Sequence, residues 1–259
     1  MSATVVVAPP YLTEEAARDW DVLQEPAERP PVFDPEQAEL LPEPARRWLL
    51  RAIAPGTPLL RAVVLSMHGT IRLNGWHDFR ALQVLDPLRG YVWSAGTRLG
   101  LLPVRGFDRY RDGAGEMRWR AMGALPVLSA SGPDVTRSAA GRLACELVLA
   151  PAAALDPAVG WKSLNEREAV ATVPVGGEEH DVRLSVAEDG RLERVTVLRW
   201  GNPDKGPYRR HLFGVECLDE LTFDGFTVPG RVRAGWWPGT RLWPEGEFIR
   251  FTLDDAVYR

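Results

Sequence analysis

From residue 63 onward, apolar side chains recur at every second position. Val63, Leu65, Met67 and Ile71 alternate with Ala62, Ser66, His68, Thr70 and Arg72. A period of two puts one set on each face of a β-strand. Segments 79–85 and 90–95 continue the pattern across an Asp86-Pro87 turn, and segments 107–111 and 116–121 flank Asp112-Gly113-Ala114-Gly115. Strands resume at Trp161. They follow at 169–175 and 181–187 around Gly176-Gly177, at 192–200 after Asp189-Gly190, and at 226–234 after Asp224-Gly225. Residues 208–223 form one long strand or two short ones, and 248–253 is the last. Asp-Gly pairs between alternating runs are hairpin signals, so an antiparallel meander is expected rather than βαβ units. About nine to eleven strands are predicted from these signals.

Helical patterning is confined to a few places. Thr13 caps a predicted helix running to about Leu23, with Glu14 and Glu15 in its first turn. Asp34-Pro35-Glu36-Gln37 reads as a capping box. Ala45, Trp48, Leu49, Ala52 and Ile53 repeat at helical spacing behind Pro44, and Pro55-Gly56 stops that helix. One long helix interrupts the strands. It starts at Ser131-Gly132-Pro133-Asp134, carries the stripe Val135, Ala139, Leu143 and Leu147, and ends or kinks at Pro151. Residues 1–40 read as a Pro-rich arm, since 8 of the 22 prolines fall within the first 44 residues. Trp20 and Phe33 are its expected anchors on a single main domain at 41–259, and a free tail is the alternative for 1–12.

The stretches Leu-Pro-Val-Arg-Gly-Phe-Asp-Arg-Tyr (102–110), Ser-Gly-Pro-Asp-Val-Thr-Arg-Ser-Ala-Ala-Gly-Arg-Leu (131–143), Arg-Trp-Gly-Asn-Pro (199–203) and Pro-Gly-Arg-Val-Arg-Ala-Gly-Trp-Trp (229–237) carry a resemblance. Together with the order of elements, they resemble a bacterial, largely actinobacterial, family of unknown function whose fold is similar to the outer-membrane lipoprotein carriers (LolA/LolB-like). The segment 186–195 also resembles the C-terminal hairpin of those carriers. The resemblance covers roughly residues 40–255. It implies an α+β, mainly β fold: a strongly curved antiparallel sheet forming an unclosed half barrel. One N-terminal helix and one inserted helix would pack on its concave side, where the carriers hold acyl chains.

Composition narrows the function classes. There are 31 basic and 35 acidic residues, a net charge of −4, which argues against general nucleic-acid binding. Only Lys162 and Lys205 are lysine, a bias that needs no functional explanation. Cys145 and Cys217 cannot form a zinc site alone, and the four histidines show no ligand spacing, so no metal and no cofactor are expected. Two cysteines in a chain of this length read as free thiols in a reducing compartment. The N-terminal apolar run is too short for a signal peptide, and no segment is long enough to span a bilayer. A cytoplasmic location is expected.

Four sets of side chains carry candidate chemistry. The first is a run of arginines: pairing Arg111 with Glu116 across a four-residue loop places Arg109 opposite Arg118 and Phe107 opposite Arg120. Opposed like charges destabilise a sheet unless a carboxylate or an anionic ligand compensates, and Arg137 and Arg142 on the inserted helix are placed to join them. The alternative is a solvated outer face. The second set is aromatic, with Trp119, Trp200, Trp236 and Trp237 the candidate pocket residues among 10 tryptophans; each is equally explained by packing. The third is Arg142 with Glu146, one helical turn apart, where a half-buried glutamate would serve as acid or base with Asp108 or Asp134 as a second carboxylate. A surface ion pair explains the same spacing. The fourth is the loop 199–203 with His211 beyond it. No nucleophile elbow or triad can be assembled from the sequence.

The expectation from these features is binding of a hydrophobic or amphipathic small molecule, acyl or lipid-like, with arginines favouring an acidic head group. One alternative is a cofactor-free cyclase, isomerase or hydrolase acting through Glu146, Asp108, Tyr110 or His211. A second is an interaction module whose arm covers a partner or a second copy.

Overall fold

The computed structural model describes residues 6–259; Met1–Val5, and with them part of the N-terminal apolar run, lie outside the described residues. Thirteen strands form one antiparallel sheet. The first meander contains β1 (Val63–Arg72), β2 (Trp76–Asp86), β3 (Gly90–Leu99), β4 (Leu102–Arg111), β5 (Ala114–Ala121) and β6 (Leu125–Ser131). The second contains β7 (Gly160–Asn165), β8 (Glu168–Val175), β9 (Glu178–Val186), β10 (Leu192–Gly201), β11 (Arg209–Phe223), β12 (Phe226–Trp236) and β13 (Glu247–Tyr258). The order is β6-β5-β4-β3-β2-β1-β13-β12-β11-β10-β9-β8-β7. The last strand thus pairs with the first, the two meanders join at the centre, and β6 and β7 are the edges. The sheet is mainly β and unclosed, as the resemblance implies.

Two strands exceed the number the hairpin signals predict. The strand β6 was not anticipated because six of its seven residues are exposed, so apolar and polar positions do not alternate. Its Pro126 is tolerated because an edge strand has one side free of ladder bonds. Residues 209–223 form one continuous strand.

The inserted helix α3 (Pro133–Cys145) is a single α-helix only to Cys145. Tighter 3-10 turns continue it at Glu146–Leu149 and Pro151–Leu155. This helix packs against β4 and β5 on one arm of the sheet and against β8, β9 and β10 on the other. Strands so far apart in sheet order can touch one short helix only if the sheet curves around it. The helix expected from Pro44, α2 (Glu43–Ala52), joins the same core through Trp48, Leu49 and Ala52.

The arm is docked. Its first helix, α1 (Glu14–Leu23), is capped by the Thr13 hydroxyl, which accepts from the Ala16 N–H at 3.3 Å. Trp20 and Leu23 are fully buried in a separate cluster with Val64, Val84 and Val92. These three valines point away from the concave core, so α1 lies on the convex face. Trp20 Nε1 donates to the Val6 carbonyl at 3.0 Å and ties down the chain ahead of the helix. Phe33 is also buried, in the main core.

The register of β4 and β5 differs from the sequence expectation. Asp112 (φ 49°) and Gly113 (φ 74°) both adopt left-handed conformations, which makes a two-residue turn rather than a four-residue loop. The pairs are therefore Arg109 with Glu116, Phe107 with Arg118 and Arg105 with Arg120. Arg109 does not face Arg118. Instead Arg109 is buried on the convex face in an ion-pair cluster that fastens α1. Its Nη1 donates to Asp19 Oδ2 at 2.6 Å and its Nε to Glu116 Oε2 at 2.8 Å, and its Nη2 lies 2.8 Å from Glu15 Oε1. Arg111 adds a bond to Asp19 at 3.1 Å, and Arg118 pairs with Glu116.

Removing Arg109 leaves two nearly buried carboxylates with one cation each, Asp19 with Arg111 and Glu116 with Arg118, so the cost is about 3 kcal/mol, the low end for a buried ion pair broken from one side. Arg109→Met is therefore expected to lower the urea-unfolding free energy by about that amount. Arg105→Gln, which relieves a like-charged cross-strand pair, is expected to leave the midpoint unchanged or raise it.

Candidate functional site

A cavity of about 360 Å³ lies between α3 and the concave face of the sheet. Its walls come from α3, both meanders and the turn after β10. Most of it is apolar: Met67, Ile71, Leu149, Val215, Phe248 and Phe251 are among the lining residues. One corner is charged, and α3 builds it. Val135, Ala139, Arg142 and Glu146 recur at helical spacing on the face turned to the cavity.

Arg142 is the hub of that corner. Its Nε donates to Glu146 Oε1 at 2.7 Å, its Nη2 to Gln83 Oε1 at 3.2 Å, and its Nη1 lies 3.5 Å from Asp108 Oδ2. Gln83 Nε2 returns to Glu146 Oε2 at 2.6 Å, and Trp119 Nε1 donates to Asp108 Oδ1 at 3.0 Å. The guanidinium also lies 4.4 Å from the Tyr91 ring centroid and 5.4 Å from that of Trp93. Arg142, Glu146 and Asp108 keep 15–18% of their side-chain surface accessible although they lie deep in the molecule, because that surface faces the cavity. Burial works against the Arg142 charge, but Glu146, Tyr91 and Asp108 outweigh it and hold its pKa above the usual value. Burial pushes the Asp108 carboxyl up, against the pull of Arg142 and the Trp119 bond. Burial likewise drives the Tyr91 hydroxyl up to about 12.

Arg199 lines the opposite wall of this corner. Its Nε donates to the Ser138 carbonyl at 2.9 Å, and its guanidinium sits 4.9 Å from the Phe213 ring and 5.3 Å from the Trp236 ring. Among the described residues no carboxylate lies within ion-pair distance of it. Burial lowers its pKa, with Arg142 acting in the same direction. An arginine held in an apolar cavity without a counter-ion is energetically costly unless something else supplies the charge. In the sequence Arg199 stands in the loop motif 199–203 and is not among the candidate binding residues. A signal was there: Val195 and Val197 are core residues, and Arg199 continues their alternation to the inner face.

The candidates named from sequence separate into several places. Glu146, Asp108, Arg142 and Trp236 line the cavity together. The pair Arg142–Glu146 is thus not a surface pair. Trp119 stands behind the cavity wall, holding Asp108 and packed 5.7 Å from Trp93. Tyr110 is buried but outside the lining, its hydroxyl close to Gly176. Arg137 and Trp200 form an outer cluster: Arg137 donates to Glu178 at 2.8 Å and lies 4.0 Å from the Trp200 ring, whose Nε1 donates to Asp134. Arg118 and Arg120 are on the convex face with Arg109 and do not reach the cavity. His211 is buried behind Trp236, edge-on to it at 6.1 Å and to Trp237 at 6.0 Å. Trp237 itself sits in a turn with φ of 59°. Cys145 and Cys217 are buried free thiols, and burial pushes both pKa values up, Cys145 to about 12. A thiol so placed is inert as a nucleophile. Among the described residues no group of three metal-ligating side chains converges. No described helix is long and apolar enough to cross a membrane.

A model for a family of unknown function, DUF6544, matches residues 31–248. The chain belongs to that family. This DUF6544 chain is also similar to two solved structures. One is a LolA superfamily protein from Nitrosomonas europaea, with 9% identity, a TM-score of 0.44, and 83% of this chain and 92% of that chain covered. The other is a domain named for outer-membrane lipoprotein sorting from Vibrio parahaemolyticus, with 8% identity, a TM-score of 0.37, and 76% and 85% coverage. Neither likeness bears on what the DUF6544 cavity holds. Among curated proteins, none matches the chain by sequence.

Burial lowers the pKa of both His180 and His211 below the ordinary 6.5. The unfolded chain therefore takes up these protons first, and the contribution to stability is complete above that value and is lost as pH falls through it. The urea midpoint is expected to drop between about pH 7.5 and about pH 5.5, a window above the carboxylate range. It should drop less in His211→Gln and least in the double variant His180→Gln, His211→Gln. An equal drop in all three proteins would exclude the two imidazoles as its source.

Proposed function

We propose that the protein binds an amphipathic small molecule with an apolar chain and an acidic head group in the cavity between α3 and the concave sheet. The observation that carries this reading is Arg199: a cation facing a mainly apolar cavity, without a carboxylate partner among the described residues. An anionic head group supplies the missing charge. The planar guanidinium presents two parallel N–H donors to a carboxylate or phosphate. The apolar walls accept the chain, and a volume of about 360 Å³ suits a molecule of drug or fatty-acid size. Arg142 is already neutralised by Glu146 and Asp108, so it shapes the corner and leaves Arg199 as the head-group residue.

One observation favours a second reading on the same site, general-acid chemistry on such a molecule. Asp108 lines the cavity with its carboxyl shifted up by burial and oriented by the Trp119 indole. A raised carboxyl within reach of a bound ester or enol is suited to proton transfer. Tyr110 and His211 lie outside the cavity lining and have no part in it.

Native mass spectrometry of the purified protein, followed by extraction and analysis of the released molecule, is expected to show an anionic amphiphile. Titration with a fatty acid and with the fatty alcohol of equal length should favour the acid. Arg199→Gln should remove that preference, about a 10-fold or greater loss for the acid, with little change for the alcohol. Equal binding of acid and alcohol by the unaltered protein would defeat the head-group assignment. Turnover of a fatty acyl ester that disappears in Asp108→Asn would move the assignment to the second reading.

A further inference from the structure

The convex face of the first meander carries charges that the fold does not balance. Arg105 and Arg120 are directly opposed across β4 and β5, and Arg80 is in line with them on β2 through Gly96 of β3. Like charges at opposed positions destabilise a sheet. Among the described residues, none of these three arginines has a carboxylate within ion-pair distance, and Arg105 has only the Tyr11 ring, at 5.8 Å. Arg109, four residues from Arg105 and on the same face, has three carboxylates. The surroundings explain the contrast. Residues 87–107 and 117–133 contain five arginines and no aspartate or glutamate, in a chain whose net charge is −4.

Apolar side chains project from the same edge. Strands alternate in direction, so the β3–β4 and β5–β6 turns lie side by side, and the Met122 N–H donates to the Pro103 carbonyl at 2.9 Å. Leu101 is 91% exposed on one tip, and Met122 and Leu125 are 67% and 61% exposed on the other. An open groove of about 940 Å³ runs between these tips and the start of the arm, with Tyr11 on one side and Arg105 and Arg120 at its floor.

We infer that this edge docks on an anionic lipid bilayer, with Leu101, Met122 and Leu125 entering the interface and Arg105 and Arg120 meeting the head groups. A bilayer fits better than a second copy of the chain, because symmetric pairing of the edge would bring two uncompensated arginine clusters together. It fits better than an acidic protein because the apolar residues sit on projecting turn tips, which enter a soft interface without needing a complementary hollow. Basic residues near an anionic membrane each contribute about 5-fold in partitioning at moderate salt, and exposed leucines add their apolar burial. The inference stands on the convex edge alone and does not depend on what fills the cavity.

Co-sedimentation of the full chain with two kinds of vesicle tests it: phosphatidylcholine alone, and phosphatidylcholine mixed with phosphatidylglycerol. Binding is expected only to the anionic vesicles and should weaken with added salt. Arg105→Gln with Arg120→Gln should reduce it about 25-fold. Leu101→Ser with Met122→Ser should reduce it at every salt concentration, and all these positions are exposed, so the variants are expected to fold; an unchanged urea midpoint verifies that. No binding to anionic vesicles, equal binding to both kinds, or binding unaffected by either double variant would overturn the inference. So would a dimer in light scattering that dissociates on Leu125→Asp while vesicles remain unbound.

Discussion

The insertion of α3 into the curve of the sheet is the constraint on which the rest of the molecule depends. A sheet of this width must cover its inner face, and α3 covers it while bringing Arg142 into the interior. A guanidinium there is tolerable only when satisfied on several sides. Glu146 comes from the turn that ends the helix, Gln83 from β2, Asp108 from β4, and the faces of Tyr91 and Trp93 from β3. The network thus locks the helix to the first meander. Arg199, reaching the Ser138 carbonyl from β10, ties it to the second. The space left between these ties is the cavity. Its charged corner and apolar length are consequences of how the helix is anchored.

The outer face uses the same chemistry to a different end. Arg109 joins α1 to the sheet through Asp19, Glu15 and Glu116 and closes a small second core around Trp20. The arm is thereby part of the fold. The two faces divide the arginines of this chain by their counter-ions. Those with fold-supplied carboxylates, Arg109 and Arg142, hold elements together. Three that lack one among the described residues, Arg199 inside and Arg105 and Arg120 outside, mark where the molecule is proposed to meet something else.

Much of the architecture was legible in the alternation of apolar residues and in the turn residues. Strand ends, helix starts and the capping residues Thr13 and Asp34 follow from local chemistry, and local chemistry is encoded within a few residues. Where the reading failed, the missing information was not local. The β4–β5 hairpin was given a four-residue loop because Asp112-Gly113-Ala114-Gly115 is compatible with either length. Two residues of slip kept every side chain on its proper face, since strands have a period of two, yet changed every partner. Arg109 gained Glu116, and the opposed like charges moved to Arg105 and Arg120. The strand β6 was overlooked because an edge strand exposed on both faces carries no alternation.

The site shows the same division. Asp108, Glu146, Arg142 and Trp236 are candidates from sequence, with a surface ion pair or simple packing as the alternatives, and all four line the cavity; Arg199 follows the parity of Val195 and Val197. What no spacing could state is which of these charges the fold itself neutralises. Glu146 follows Arg142 by one helical turn, but Asp108 and Gln83 reach it from strands tens of residues away, and whether such a group lies within reach is decided by curvature and register. By itself, therefore, the sequence determined the antiparallel meander and the inserted helix, because periodicity and turn chemistry act over short range. The tertiary structure alone decided that Arg142 is satisfied and Arg199 is not, because electrostatic balance in a buried site depends on distances between segments that only the folded sheet brings together.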